Sequence, residues 1–364
     1  MDLPFLRANP HLLPTFLAHQ RLRTTPVSGG SISVAERIGL DDGTQLFLKT
    51  WPGGLSAAPT TEVAAAPPGL FAAEADGLRW LRSAGGVAVP EVYAVTEDLL
   101  LMEWVEHAEP TRAAAERFGR ELAATHRAGA PHFGATRPLS TAVSSASVVL
   151  PTQAVSSVSD MSSGHAVSSG HAMSPSQGEP PSEGEPPSQG ELLTATTPQG
   201  SGPPAAGFLA GLPLDNTPGD DWPTWYRARR ILPYLRLAVD AGALDPADAA
   251  LVESIHIEAP AEPPARIHGD LWPGNIVWGW ADTPYLIDPA AHGGHRETDL
   301  ATLTLFGAAP HFSRIIAAYS EIHSLAPDWE SRIPLHTLPL LLVHAVLFGR
   351  GYRNAVLAAA GRYR

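Results

Sequence analysis

A low-complexity segment over residues 138–207 limits which parts of this 364-residue chain can fold. The segment is rich in Ser, Pro and Gly, and its run Ser162–Ala166 recurs as Ser168–Ala172. Because it has too few large apolar side chains to offset the entropy lost on ordering, we expect it to be disordered. The other 294 residues, one block before the segment and one after it, must then supply the fold.

The composition of the chain excludes several classes of protein. It has 24 basic and 37 acidic residues, and this net charge of −13 argues against binding to nucleic acids or membrane surfaces. It contains no cysteine, which excludes disulfides, a thiol nucleophile and cysteine-ligated metal sites. The start, Met1–Pro4, lacks the basic region of a signal peptide, and the most apolar stretch, Leu338–Gly349, is too short to span a bilayer. We therefore expect a cytoplasmic protein.

The first block combines strands with helices. The residue pattern predicts strands over 29–38, 45–49, 87–95 and 99–105, and helical spacing predicts a helix over 71–83. Thr111 is a candidate N-cap for a second helix that runs to Thr125.

The second block is mostly helical. Helices are predicted over 222–241, over 246–255 and from Asp299 to the end, with short strands around 265–267 and 285–287. Strands first and helices later favour an α+β protein with two lobes. We assign residues 1–105 to a small β-rich N-terminal lobe and 106–364 to a larger helical C-terminal lobe, which the segment 138–207 interrupts.

The strongest functional pattern is the run His268–Asn275, which is followed by Asp288. Asp270 and Asn275 are five residues apart, and Asp288 lies eighteen residues beyond Asp270, after an apolar run. This is the arrangement of a protein-kinase phosphoryl-transfer site, where a loop Asp accepts the proton of the attacking hydroxyl and an Asn and a second Asp bind magnesium. We therefore predict that Asp270 is the catalytic base and that Asn275 and Asp288 are Mg²⁺ ligands.

The first block should then bind the phosphates and the adenine of ATP. Lys49 is the single lysine beside 23 arginines, which suggests a position where a compact ammonium is needed. It follows a candidate phosphate loop, Gly29-Gly30-Ser31, and Glu74 in the next predicted helix is the candidate for its ion-pair partner. Glu103-Trp104-Val105, at the end of a predicted strand, is the candidate link between the lobes and offers backbone groups to adenine.

With these residues the chain resembles the fructosamine kinase, or ketosamine kinase, family, a branch of the aminoglycoside-phosphotransferase-like kinases. The likeness covers nearly the whole chain except the insert, and its most specific parts are Leu271-Trp272 after His-Gly-Asp and the run Arg296–Ala301. The resemblance implies a two-lobed protein-kinase-like fold and phosphorylation by ATP and Mg²⁺ of a sugar hydroxyl, usually O3, on a free or protein-bound ketosamine. Because the phosphorylated adduct falls apart, the implied role is protein deglycation or the repair of glycated metabolites.

The resemblance also implies roles for further residues. Trp272, Glu297 and Tyr352 would help to shape the acceptor pocket, and Asp299 would cap the following helix and tie down the catalytic loop. Family members often carry a cysteine beside the Gly-Gly pair, where this chain has Ser31, so thiol-based control of that loop is excluded here.

Two other functions stay open at this point. An aminoglycoside- or choline-type phosphotransferase would keep the fold and change only the acceptor. A pseudokinase would bind ATP without turnover, and the presence of the lysine, the base and both metal ligands argues against it. The sequence does not indicate an oligomeric state.

Overall fold

The computed structural model describes residues 8–13, 23–27, 33–40, 43–51, 66–136 and 206–364. The predicted phosphate loop Gly29-Gly30-Ser31 and residues 138–205 of the predicted insert lie outside these ranges. The last two residues of that insert, Ala206 and Gly207, belong to a strand.

The N-terminal lobe is built on a five-stranded antiparallel sheet with the order β1-β2-β3-β5-β4. Its strands are β1 (Arg23–Pro26), β2 (Val34–Gly39), β3 (Gln45–Thr50), β4 (Val92–Val95) and β5 (Leu99–Glu103). Helix α1 (Leu70–Arg82) packs against β4 and β5. Because side chains alternate along a strand, Phe47 and Lys49 lie on the opposite face of β3 from the buried Leu46 and Leu48. Phe47 packs against the core cluster to which α1 contributes, so Lys49 shares the face of the sheet that α1 covers.

The C-terminal lobe is mainly helical, as predicted. Its helices are α2 (Arg112–Arg127), α3 (Trp222–Tyr226), α4 (Leu232–Asp240), α5 (Pro246–Glu253), α6 (Glu297–Thr302), α7 (Phe312–Ile322), α8 (Ile333–Phe348) and α9 (Arg353–Ala360). A π-helical turn, Arg227–Ile231, divides the helix predicted over 222–241. Helix α2 begins where the sequence predicts, because the Thr111 side chain accepts a hydrogen bond from the backbone N–H of Ala114.

Three two-stranded antiparallel sheets complete the C-terminal lobe. Strands β6 (Ala206–Leu209) and β7 (Leu212–Asp215) form a hairpin, β8 (Ala265–Ile267) pairs with β11 (His292–Gly294), and β9 (Ile276–Gly279) pairs with β10 (Thr283–Leu286). The catalytic run predicted from the sequence therefore connects β8 to β9, and Asp288 follows β10.

Some predicted boundaries differ from the structure. The strand predicted over 87–95 is confined to β4, because Pro90 has no N–H to contribute to a ladder before it. The sequence did not indicate β1, the β6–β7 hairpin, β9 or β11, which are short strands with little alternation.

Helix α8 is apolar on all sides because it lies in the core of the C-terminal lobe, where it buries ten residues. By length and composition alone, the helical stretch Trp329–Tyr363 could cross a membrane. More than half of its most apolar part is buried within the protein, as expected of a core helix.

Candidate active site

Lys49 forms ion pairs with two carboxylates from distant parts of the chain. Its Nζ lies 2.9 Å from Oε2 of Glu74 in α1 and 3.1 Å from Oδ1 of Asp288, beyond β10. The side chains of Lys49 and Glu74 are largely buried, whereas that of Asp288 is 36 % exposed. The predicted Lys49–Glu74 pair is thus present, and Lys49 connects the N-terminal lobe to the catalytic segment of the C-terminal lobe.

Asn275 and His268 hold Asp270 in place. Nδ2 of Asn275 donates to the backbone oxygen of Asp270 at 2.7 Å and to its Oδ2 at 3.3 Å. The backbone N–H of Asp270 donates to Nδ1 of His268 at 3.2 Å, and Nε2 of His268 donates to the carbonyl of Ile287 at 2.8 Å. These two bonds require a neutral imidazole, and burial lowers the pKa of His268 accordingly. His268 therefore links the loop that carries Asp270 to the segment that carries Asp288.

The backbone of the catalytic loop requires glycine beside Asp270. Gly269 has a φ of +81°, and a Cβ at this position would clash with the carbonyl oxygen of Ala290. Asp288 also lies in the left-handed region, with a φ of +53°, which is uncommon for residues other than glycine and is typical of functional sites.

Negative charge exceeds positive charge in this cluster. Burial, with repulsion from Asp288, raises the pKa of Asp270 to about 7. Burial and the same repulsion raise the pKa of Glu74 to about 7, although Lys49 opposes this shift. Burial would lower the pKa of Lys49, but Asp288 and Glu74 outweigh it and hold that pKa above its usual value. One ammonium therefore faces three carboxylates.

Asn275 and Asp288 have the donor atoms that magnesium prefers. The amide nitrogen of Asn275 faces Asp270, so its oxygen Oδ1 is the end that can bind a cation. Asp288 contributes carboxylate oxygens in a cluster with excess negative charge. Hard oxygen ligands beside uncompensated negative charge fit the magnesium ion that the sequence predicts.

Asp299 anchors the catalytic loop through its backbone. Oδ2 of Asp299 accepts the N–H of His268 at 2.7 Å, and Oδ1 accepts the N–H of Gly269 at 2.9 Å. His126 of α2 contacts Oδ2 at 3.1 Å, and the hydroxyl of Tyr319 in α7 contacts the other ring nitrogen of His126 at 2.8 Å. Burial would raise the pKa of Asp299, but hydrogen bonds and the charge of its partners lower it. Asp299 therefore holds the catalytic loop, as predicted. It does not cap a helix, because both of its carboxylate oxygens accept N–H groups of the loop.

The segment predicted to link the lobes begins at Glu103, the last residue of β5. The ring of Trp104 stacks on Phe47 of β3, with the ring centroids 6.3 Å apart. The carboxylate of Glu103 accepts the backbone N–H of Glu91 at 3.1 Å. These contacts fix both sides of the segment Glu103-Trp104-Val105, whose backbone groups are the ones predicted to contact adenine.

The residues predicted to shape the acceptor pocket lie in two different surroundings. Trp272 contacts the ring of Phe306, with centroids 6.0 Å apart, and Tyr352 contacts the same ring at 6.2 Å. Glu297 is instead fully buried, and Arg332 donates to its two oxygens at 2.6 and 2.7 Å. The prediction that Glu297 lines the acceptor pocket is therefore corrected, because its carboxylate already forms an ion pair inside the lobe.

Glu297 also belongs to a group that resembles a metal site. The ligand atoms of His295, Glu297 and His336 lie within 4.8 Å of one another. Burial opposes the shift, but Arg332 and His336 lower the pKa of Glu297 to about 2. The guanidinium already balances this carboxylate, so we interpret the group as part of the core rather than as a metal centre.

Sequence reasoning missed several residues around the site. His126 and Tyr319 gave no separate signal, because their contacts join helices far apart in the chain. Phe306 lies in an irregular loop without a motif. His344 was visible as a lone imidazole within an apolar helical stretch, which is a weak signal by itself.

Comparisons with known proteins identify the family of the chain. The chain matches the family model for fructosamine kinase over residues 14–145 and 192–361. The crystal structure of a protein named as a fructosamine-3-kinase from Thermobifida fusca is 38 % identical, covers 96 % of both chains and has a TM-score of 0.69. A protein named as a ketoamine kinase from Thermus thermophilus is 29 % identical, over 80 % of this chain and 82 % of its own.

A more distant structure supports the fold. A second protein named as a fructosamine-3-kinase, from Haemophilus somnus, is 17 % identical and covers 96 % of this chain and 94 % of its own, with a TM-score of 0.62. The predicted two-lobed fold is confirmed. The family match includes Lys49, Glu74 and the whole run from His268 to Asp288. This chain belongs to the fructosamine kinase family.

Proposed function

We propose that this protein transfers the γ-phosphoryl group of ATP to a sugar hydroxyl of a ketosamine, an amine whose nitrogen carries a ketose. The observation that carries this proposal is the cluster in which Lys49 joins Glu74 to Asp288, beside Asp270 and Asn275. Such a cluster has the lysine with its carboxylate partner, the base and the oxygen ligands of a phosphoryl-transfer site. Membership of the fructosamine kinase family supports the acceptor class.

In this reaction Asp270 orients the acceptor hydroxyl and accepts its proton. The hydroxyl oxygen forms a bond to the γ-phosphorus while the bond from that phosphorus to the oxygen of ADP breaks. A pKa of about 7 gives Asp270 enough basicity to act near neutral pH. Lys49, oriented by Glu74, contacts the phosphates of ATP. Asn275 and Asp288 would hold Mg²⁺, which would supply positive charge to neutralise the phosphates.

The phosphorylated ketosamine should be short-lived. The name of the Thermobifida fusca relative specifies position 3, and we assign the same hydroxyl here. Loss of a proton from C1 gives an enaminol, whose electrons break the C3–O bond and expel inorganic phosphate. Water then hydrolyses the resulting imine, which releases the amine and a 3-deoxy dicarbonyl sugar. The role that follows is cytoplasmic deglycation of proteins or repair of glycated small molecules.

The test is ATP turnover with magnesium against fructosyl-lysine, ribulosyl-lysine and an aminoglycoside, with the Asp270→Asn protein as the blank. We expect turnover on the two ketosamines only, lost when magnesium is chelated. Turnover on the aminoglycoside alone would show that the acceptor is an aminoglycoside rather than a ketosamine. ATP binding without turnover on any acceptor would contradict the assignment of a ketosamine kinase.

A further inference from the structure

Four aromatic rings form a patch that continues from the catalytic loop. His344 lies at its centre, with ring centroids 4.6 Å from Phe306, 5.5 Å from Phe348 and 5.1 Å from Tyr352. Phe306 in turn contacts the edge of Trp272, two residues after Asp270. We call Phe306, His344, Phe348 and Tyr352 the aromatic patch; none of its members has a role in phosphoryl transfer itself.

The patch exposes apolar surface that folding alone does not explain. Phe306 is 50 % exposed and Phe348 is 49 % exposed. Phe306 also has a φ of +56°, which is uncommon for a bulky residue, and Gly307 after it has a φ of +106°. A strained loop that holds a large aromatic ring in solvent is a feature of ligand-binding sites rather than of cores.

His344 gives the patch one polar atom of defined character. Its Nδ1 donates to the carbonyl of Leu340 at 2.8 Å, which leaves Nε2 as the acceptor of a neutral ring. Burial lowers the pKa of His344, so the ring stays neutral at physiological pH. The patch therefore combines aromatic faces with a hydrogen-bond acceptor and suits an organic cation.

We propose that the aromatic patch binds the amine side of the ketosamine, its secondary ammonium and the alkyl chain attached to it, an assignment that rests on the function proposed above. Aromatic faces attract alkylammonium groups through their ring electrons, and Nε2 of His344 accepts the N–H. In a ketosamine the nitrogen is bound to C1, two carbons from C3, so a substrate with its C3 hydroxyl at Asp270 would extend its amine side past Trp272 toward Phe306.

The test compares acceptors that differ only on the amine side. The series is fructose, the fructosamine of methylamine and the fructosamine of n-butylamine, each assayed with wild type, Phe306→Ala and His344→Ala. Trp280→Ala is the matched control, because Trp280 is an exposed aromatic residue, 70 % exposed, in the turn between β9 and β10. Binding of the n-butylamine adduct is measured by calorimetry on the same proteins, so that recognition is read separately from turnover.

We expect both patch variants to raise KM for the n-butylamine adduct about tenfold, with less effect on the methylamine adduct and none on fructose, while kcat changes little. Trp280→Ala should behave as wild type. Equal effects on all three acceptors, or none, would overturn the assignment of the patch. If wild type turns over no ketosamine, the proposed function fails; weaker calorimetric binding in Phe306→Ala but not in Trp280→Ala would still support the patch, and equal or absent binding would overturn it.

Discussion

Two pairs of buried carboxylates have opposite pKa shifts. We call Asp270 and Glu74, with Lys49 and Asp288, the catalytic cluster, and Asp299 and Glu297, with their hydrogen-bond partners, the supporting network. In the catalytic cluster, burial and mutual repulsion raise the pKa values of Asp270 and Glu74 to about 7. In the supporting network, partner groups outweigh burial and lower the pKa values of Asp299 and Glu297. The difference comes from the neighbours: carboxylates around a single ammonium in the first case, N–H donors and a guanidinium in the second.

The opposite pKa shifts distinguish the carboxylates that we propose take part in the reaction from those that stabilise the fold. A carboxylate with a raised pKa destabilises the folded protein at neutral pH, and the proposed roles of base and cation ligand account for its presence, since both need that unbalanced charge. The satisfied carboxylate of Asp299 stabilises the loop on which Asp270 is mounted. The two groups should therefore respond in opposite ways to substitution and to pH.

The largest expected effect is that of Asp270→Asn. Loss of the base should lower kcat by at least about a thousandfold. The same substitution should increase the free energy of unfolding by about 1–2 kcal/mol at pH 8, because it removes a buried charge repelled by Asp288. The measurements are single-turnover kinetics and denaturant unfolding without ligands.

The difference in unfolding free energy between Asp270→Asn and wild type should depend on pH. The folded pKa of Asp270 is raised, so the protonated form stabilises the fold, and that stability is lost as pH rises from about 4 to about 7. The advantage of the variant should grow over that window and stay constant above it. Asp220→Asn, at an exposed position, is the control. A variant less stable than wild type at pH 8 would contradict this account of the cluster.

Asp299→Asn should lose stability as well as activity. An amide cannot accept both the His268 and the Gly269 N–H while its nitrogen faces donors, so we expect a loss of about 3 kcal/mol at pH 7. Displacement of the loop should lower kcat more than it changes KM for ATP. The measurements are urea unfolding and steady-state kinetics.

The contribution of Asp299 to stability should depend on pH in the opposite direction from that of Asp270. Its folded pKa is lowered, so its contribution to stability is present above the unfolded pKa and is lost as pH falls through the folded pKa. The deficit of Asp299→Asn should therefore shrink in acid. A deficit that is equal at pH 7 and at low pH would show that charge is not the cause.

Tyr319→Phe should have the smallest effect. It removes the hydroxyl that contacts His126, and a single buried hydrogen bond is worth about 1 kcal/mol. We expect kcat to fall only a few-fold, since Asp299 keeps both loop contacts. Combined with Asp299→Asn, the loss should be less than the sum of the two single losses, because Tyr319 acts on Asp299 through His126. Additive losses would show that the network does not act as a unit.

Much of the site could be predicted from the sequence because its residues occur at characteristic spacings within short segments. Asp270, Asn275 and Asp288 lie within one short segment, and the strand and helix around Lys49 and Glu74 have clear periodicity. The family resemblance gave the order of these elements, and the structure contains the predicted Lys49–Glu74 pair.

The sequence by itself determined the family and the reaction class, a kinase with a two-lobed fold, and it named the residues that we propose as phosphate contact, base and metal ligands. Only the tertiary structure decided which carboxylates have raised pKa values and which have lowered ones, because a pKa depends on neighbours that the chain brings from far away. His126 and Asp299 are separated by 173 positions, and Glu297 and Arg332 by 35, yet they are in contact. The exposed ring of Phe306 beside His344 was likewise decided by packing, because an irregular loop and a helix end meet there without any shared motif.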